Sequence, residues 1–354
     1  MPWSCHDPPF RIPIRPWLAT VAAHCRAIFG PLMVAQALAV NHLSRQQRSD
    51  LKQRLHEHQT LATELAAAHM RYELDRIDDE LAQIADSAEL HRWLATGDET
   101  AKTRYATQIE ALCRTTRVYL QARFIDATGR ERMRVNHDDG EPPRLVPDDE
   151  LQDKRHRPYV ATGLMLGPHE LYVSPLSLNR EHGAIERPLR HVLRAVRPVF
   201  DSEGTRLGMV VLNYRAQRLL DAASMTLEIG HDIQGEPLVV SMAGETLLGR
   251  EADDAWGVEL GHGRTFTSQH AAAWAAMADK PRGCVSTAGG LYVFTTRDLG
   301  HEFVDNTDGD WGIRHVVGGD VIKLIRHVQP SKMAEALSAP VISTGVGAAV
   351  LSIE

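Results

Sequence analysis

Between residues 44 and 92 a strongly charged segment carries apolar side chains at mostly three-, four- or six-residue steps: Leu51, Leu55, Leu61, Leu65, Met70, Leu74, Ile77, Leu81 and Ile84. That spacing sets an apolar stripe along one side of a long helix. The stripe departs from a strict heptad, so it suits packing on a sheet, and on a partner helix nearer its start, better than a pure coiled coil. Gly97 then closes the helical region.

Upstream, residues 27–43 (AIFGPLMVAQALAVNHL) hold no formal charge and reach the lower edge of the roughly 17 to 25 residues that span a bilayer as a helix. Arg11, Arg15 and Arg26 all precede this run, a bias that places residues 1–26 in the cytoplasm and the chain after 43 across the membrane. Arg26 at the boundary can snorkel. A buried core helix or an uncleaved signal-like segment would produce the same run. Residues 339–353 (APVISTGVGAAVLSI) are again uncharged, yet only about 15 long, short of a comfortable span. The expectation is that 331–354 begins a second transmembrane helix, truncated, with any cytoplasmic output domain absent from this chain; an interfacial tail is the alternative.

Composition limits the partners. At 43% hydrophobic and 24% charged, 354 residues suit an ordinary folded protein with room for two domains. A net charge of -7 and dispersed arginines argue against nucleic acid. Cys5 and Cys25 fall on the cytoplasmic or membrane-entry side, while Cys113 and Cys284 fall in different modules, so the latter two are expected as core thiols outside any disulfide. Eighteen histidines invite a metal reading that the spacing does not support. His169 and His301 lack a second histidine four residues on, and His56 and His58 splay on a helix. The acidic run at 305–310 lacks the loop length and closing glutamate of a calcium site. No nucleotide-binding loop, dinucleotide fingerprint or nucleophile elbow occurs, so no cofactor, metal or catalytic residue is assigned.

After a helix at 102–114 the periodicity changes to two. Val118, Leu120, Ala122 and Phe124 alternate with Tyr119, Gln121, Arg123 and Ile125, and the turn Asp126-Ala127-Thr128-Gly129 leads into a strand at 132–136, which makes a β-hairpin. Residues 136–151 read as solvated loop. Strands follow at 171–174, 192–200 and 207–214, the last two joined by Asp201-Ser202-Glu203-Gly204. A weaker copy comes next, with strands at 237–242, 284–287, 291–296 and 321–328 and a helix at 271–278. The fold class is therefore α+β, a long N-terminal helix followed by two antiparallel-sheet modules.

In order along the chain, the blocks YLQARFIDATGRERMRVN, LQDKRHRPYVATGL, ELYVSPLSLNREHGAIERPLRHVLRAVRPVFDSEGTRLGMVVLNY and IKLIRHVQPSKM resemble the double Cache sensor region of bacterial transmembrane receptors. The resemblance covers roughly 44–333 and is strongest over 119–214. It implies PAS-like modules, membrane-distal at 93–220 and membrane-proximal at 221–330, behind a stalk at 44–92. It further implies an inner-membrane receptor with 44–330 in the periplasm, a parallel homodimer, and coupling to a histidine kinase, diguanylate cyclase or chemotaxis output.

In such proteins the distal module usually holds a small-molecule ligand between its sheet and the covering loops. Arg155-His156-Arg157-Pro158-Tyr159 sits where amino-acid-binding members carry an Arg-x-Arg-Pro-Trp-Tyr-like block. Guanidinium groups there would fork onto a carboxylate while an aromatic ring closes over the ligand. Tyr159 stands for the tryptophan, Val160 for the tyrosine, and Ser177-Leu178-Asn179 for the downstream Tyr-x-Asp whose acid would meet an ammonium. These departures weigh against an α-amino acid and leave a small anion or carboxylate, with Arg155, Arg157, Tyr159, Tyr172, Asn179 and Arg194 as the candidate ligand-binding residues. The alternative function is a ligand-free spacer or protein-interaction module.

Overall fold

The computed structural model describes residues 14–181, 183–228, 235–300 and 315–338. The chain divides into two units, 1–56 and 57–354. In the first, the structure is supplied by helix α1 (Ile14–Ala85), on which Leu32, Met33, Val34, Leu38 and Leu43 are exposed. No helix among the described residues is long and apolar enough to cross a membrane. The expected second span at 339–353 and the acidic run at 305–310 lie outside the described residues.

In the second unit α1 buries Met70, Leu74, Ile77, Leu81 and Ile84, but Leu61 and Leu65 are 68% and 50% exposed. The single stripe expected from the sequence is thus two. The five-residue step from Leu65 to Met70 turns the helix by about 140° beyond a full turn, and the small residues Ala62, Ala66 and Ala67 take the inward face instead. The helix also stops short of 92: a break at Asp86-Ser87 separates it from α2 (Ala88–Thr96), which Gly97 ends at φ 70°, donating its N–H to the Trp93 carbonyl. Helix α3 (Glu99–Thr116) begins on Asp98, whose carboxylate accepts the Thr100 N–H.

The hairpin forms as its alternation demands, from β1 (Tyr119–Asp126) and β2 (Glu131–Asn136), with Asp126 Oδ1 accepting the Thr128 and Arg130 N–H groups in the turn. There follow β3 (Arg144–Leu145), α4 (Pro158–Gly163), β4 (Glu170–Val173), β5 (Ser177–Leu178), β6 (Arg180–Glu181), β7 (Ala184–Ile185), β8 (His191–Phe200) and β9 (Arg206–Arg215). After α5 (Gln217–Glu228) come β10 (Glu236–Ser241), β11 (Thr246–Leu248), α6 (Phe266–Gln269), α7 (Ala271–Met277), β12 (Arg282–Thr287), β13 (Gly290–Asp298), β14 (His315–Gly318), β15 (Val321–Val328) and α8 (Pro330–Ser338). The first sheet runs β14-β4-β8-β9-β1-β2-β3 with β5 also on β8, and the second runs β11-β10-β15-β13-β12. Every pairing in them is antiparallel except β14 on β4, which draws a strand from late in the chain into the first sheet.

Strand alternation divides the first sheet into two faces. Ala122, Phe124, Leu193, Ala195, Val210, Leu212 and Tyr214 share one core with the buried stripe of α1, while Ile125, Val196, Met209 and Val211 pack with Tyr159 and Val160 of α4 on the other. Two hydroxyls tie the helix down: Tyr119 donates to Glu80, and Tyr214 to Glu73 Oε2 at 3.0 Å. In the second sheet Leu238, Val240, Tyr292, Phe294 and Ile325 pack with Phe266 and Met277. Cys113 is buried, and burial pushes its thiol up to about 12. Cys284, expected in a core, is exposed, because on edge strand β12 it alternates with Val285, which takes the inward position.

Asp320, in the bend between β14 and β15, is pushed up to about 6 by burial, reinforced by the carboxylates of Glu245 and Asp298 against the backbone N–H groups of Leu176 and Val321. The folded state holds this proton more tightly than the unfolded chain. Stability therefore falls as pH rises from about 3.8 to about 6 and stays reduced above that. Asp320→Asn is expected to gain about 2 kcal/mol at pH 7 and to flatten that fall. Denaturant midpoints measured for both proteins from pH 4 to pH 7 check it, and parallel curves would reject it.

Candidate functional site

On the face of the first sheet turned away from α1, register places four polar side chains in one row. Asn136 of β2 stands beside Gln121 of β1, which stands beside Asn213 of β9, which stands beside Arg194 of β8. The next row begins with Arg134 beside Arg123 and continues through Val211 and Val196 to Tyr172 of β4. Gln121, Arg123, Arg134, Arg194 and Asn213 are all buried. Placing such groups inside is costly unless each finds a partner, and their partners define the site.

Glu131 is the hub on the β2 side. Its Oε1 lies 3.0 Å from Arg123 Nε, and its Oε2 accepts from Arg134 at 2.9 Å and from the Gln152 N–H at 3.0 Å. Arg123 extends from there to Gln121, to Asn213 Oδ1 at 3.5 Å and to the Tyr159 hydroxyl at 3.3 Å. Asn213 donates to Gln121 Oε1 at 3.1 Å, which closes the network.

Arg194 is held differently. It donates to Ser177 Oγ at 3.0 Å and to Asn179 Oδ1 at 3.3 Å, and its guanidinium lies 5.6 Å from the Tyr159 ring centroid. No carboxylate forms an ion pair with it among the described residues. Burial brings its guanidinium down to about 10, helped by the nearby positive charges of Arg123 and Arg157 and opposed by Tyr159 and Glu259. Among the described residues the buried layer thus holds three guanidinium groups, on Arg123, Arg134 and Arg194, against the single carboxylate of Glu131.

Above the row lies a cavity of about 240 Å³ lined by Gln121, Arg134, Asn136, Gln152, Asn179 and Glu186, among others. Asn136 Oδ1 is buried there with no hydrogen-bond donor among the described residues. Glu186 accepts from Asn179 at 2.8 Å and pairs with Arg190 at 3.2 Å, while Arg190 reaches Asp138 at 2.8 Å. The charged lining is mixed, Arg134 and Arg190 against Asp138, Glu150 and Glu186, and Arg194 borders the cavity through its bond to Asn179.

Of the six candidates, five come together. Arg194, Asn179 and Tyr159 make the contacts just given. Arg157 caps the start of α4, its side chain without a partner among the described residues, and Tyr172 sits half-buried near Arg194. Arg155 goes elsewhere: it is exposed and doubly bonded to Asp153, at 3.0 and 2.6 Å. Sequence reasoning missed Gln121, Arg123, Glu131, Arg134, Asn136 and Asn213. A signal existed for the first two, since polar residues two apart in a strand with an otherwise apolar pattern face the same side.

A model of the bacterial histidine kinase sensor domain matches residues 69–304. The chain belongs to that family. No curated protein matches it in sequence. Among solved structures, the domain of a sensory-box/GGDEF family protein from Vibrio parahaemolyticus superposes with a TM-score of 0.60 at 19% identity, covering 76% of this chain and 95% of that one. The extracellular domain of histidine kinase vpHK1S-Z8 gives 0.60 at 19% identity over 77% and 92%. The ligand-binding domain of the Campylobacter jejuni chemoreceptor Tlp3, in complex with L-norvaline, gives 0.51 at 10% identity over 83% and 95%. At these identities the likeness is one of fold, and that fold is the Cache-type sensor architecture. Within this sensor domain the polar row and its cavity lie between the sheet and the segments that cover it.

Proposed function

We propose that this sensor domain binds a small solute with a carboxylate at one end and a hydrogen-bond donor at the other, in the cavity over the first sheet. The observation that carries the reading is Arg194, a buried guanidinium with hydroxyl and amide neighbours but, among the described residues, no acid paired to it. A carboxylate reaching Arg194, which borders the cavity through Asn179, would supply the missing charge, and a hydroxyl or ammonium at the far end would satisfy Asn136 Oδ1. The Tlp3 complex, with a small amino acid bound to a domain of this fold, supports the class of ligand.

Signal output follows from the two-faced sheet. Asn213 belongs to the ligand row, and its neighbour Tyr214 holds Glu73 of α1, so closure on a ligand biases the helix position. We place the domain outside the cytoplasm, anchored through 27–43, where Leu32, Met33, Val34 and Leu38 present apolar surface. A homodimer would use the exposed Leu61, Leu65 and Tyr72 of α1. A kinase, cyclase or chemotaxis domain is the output we expect such a sensor to control.

The full chain heated with rising glycolate, glycine or 4-aminobutyrate tests the ligand reading, since a ligand of the native state raises the melting point with the logarithm of its concentration. Arg194→Met is expected to weaken the effective probe about 10- to 100-fold, the loss of charge-assisted bonds, while the unliganded melting point holds or rises because an unpaired buried charge is gone. No response to any of the three, or an Arg194→Met protein that responds like the parent, would leave the spacer reading in its place.

A further inference from the structure

The second sheet carries its own polar row. Register sets Glu236 of β10 beside His327 of β15, and His327 beside Tyr292 of β13. Tyr292 stacks on His327 at 4.4 Å with 6° between the rings, and His270, between α6 and α7, places Nδ1 2.9 Å from the Tyr292 hydroxyl. His327 Nε2 meets the Gly289 carbonyl at 2.8 Å, so that nitrogen carries a proton, while Nδ1 faces Glu236 Oε2 at 3.4 Å. Beside the row opens a cavity of about 290 Å³. Three carboxylates line it, on Glu236, Glu251 and Asp254, against one guanidinium, that of Arg250, and Phe266 lies along it. Thr246, 2% exposed, also lines it, and its hydroxyl is buried with no hydrogen-bond partner among the described residues.

We infer that this cavity is a second solute site, for a small molecule bearing a primary ammonium group. An ammonium has three N–H donors and no acceptor, which matches carboxylate oxygens beside one unpartnered hydroxyl; Asp254 already pairs with Arg264 at 3.3 Å and accepts from Gln269, so Glu236 and Glu251, the two acids that share Arg250, are the ones left to meet it. Arg250, whose side chain is 62% exposed, bridges Glu236 at 3.0 Å and Glu251 at 3.6 Å, and is the cation that the ammonium displaces. The ammonium differs from the carboxylate proposed to meet Arg194 over the first sheet, and the inference stands apart from the reading of that site.

Isothermal titration of the full chain with 1,4-diaminobutane dihydrochloride, against sodium chloride of equal ionic strength, tests it. The expected result is saturable binding above the salt control, weakened at least tenfold by Glu236→Gln and severalfold by Thr246→Val. Thr246→Val exchanges a hydroxyl for a methyl of similar size and carries the test alone if Glu236→Gln unfolds, which circular dichroism reads directly. Heat no different from that of salt, or a folded variant of either kind that binds as the parent does, overturns the inference.

Discussion

Replacing Glu131 by alanine is expected to destabilise the sensor domain by about 3–5 kcal/mol, the cost of removing one member of a buried ionic group and leaving the rest uncompensated. The side chain of Glu131 is fully buried, and those of Arg123 and Arg134 are 3% and 6% exposed, so water cannot replace the lost carboxylate without opening the structure. Two guanidinium groups and the Gln152 N–H would lose their shared acceptor at once. A fall in melting temperature on the order of 10 °C corresponds to that energy in a domain of this size. The combined variant Glu131→Leu, Arg123→Met, Arg134→Met should recover much of the loss, because an apolar trio of similar volume avoids burying charge. Equal melting points for the parent and Glu131→Ala would mean that the trio is hydrated in solution and contributes nothing.

Leu74→Ala is expected to cost about 2–5 kcal/mol, the range for emptying a leucine site in a close-packed core. Leu74 has no exposed surface and lies in the cluster that joins α1 to Phe124, Leu212 and Tyr214 of the first sheet. Leu61→Ala, on the same helix but 68% exposed, should change the stability of the isolated domain by less than about 0.5 kcal/mol. The pair distinguishes a helix that is part of the sensor core from one merely attached to it. Urea unfolding of both variants, with equal m-values, supplies the comparison. If Leu61→Ala proves the more damaging, the inward face of α1 has been misplaced.

The two cavities differ in what surrounds their charge. Over the first sheet, guanidinium groups are buried and acids such as Glu186 and Asp138 sit at the rim, whereas beside the second sheet carboxylates predominate and the cation Arg250 is exposed. A carboxylate probe and an amine probe should therefore be selective for different variants, Arg194→Met for the first and Glu236→Gln for the second. Cross-sensitivity would show that the modules communicate.

Much of this protein was legible from local pattern. Alternation at 118–125 followed by Asp126-Ala127-Thr128-Gly129 specified a hairpin because each step depends only on near neighbours, and the buried half of the α1 stripe, from Met70 to Ile84, was visible for the same reason. The candidates Arg157, Tyr159, Tyr172, Asn179 and Arg194 were reachable from family resemblance. What local pattern could not supply was company. Arg123 and Asn213 meet across 90 residues, Arg194 and Asn179 across 15, and β14 joins β4 from far along the chain. Strand order and register decide such meetings, and they minimise the energy of the whole sheet, not of any one segment. The same global choice sent Leu61 and Leu65 outward, left Cys284 on an exposed edge and put a single acid between two buried arginines. Residue types along the chain thus determined the elements and the kind of fold, and tertiary packing decided which charges lost their water, because only the assembled sheet brings Arg123, Arg134 and Arg194 inside together.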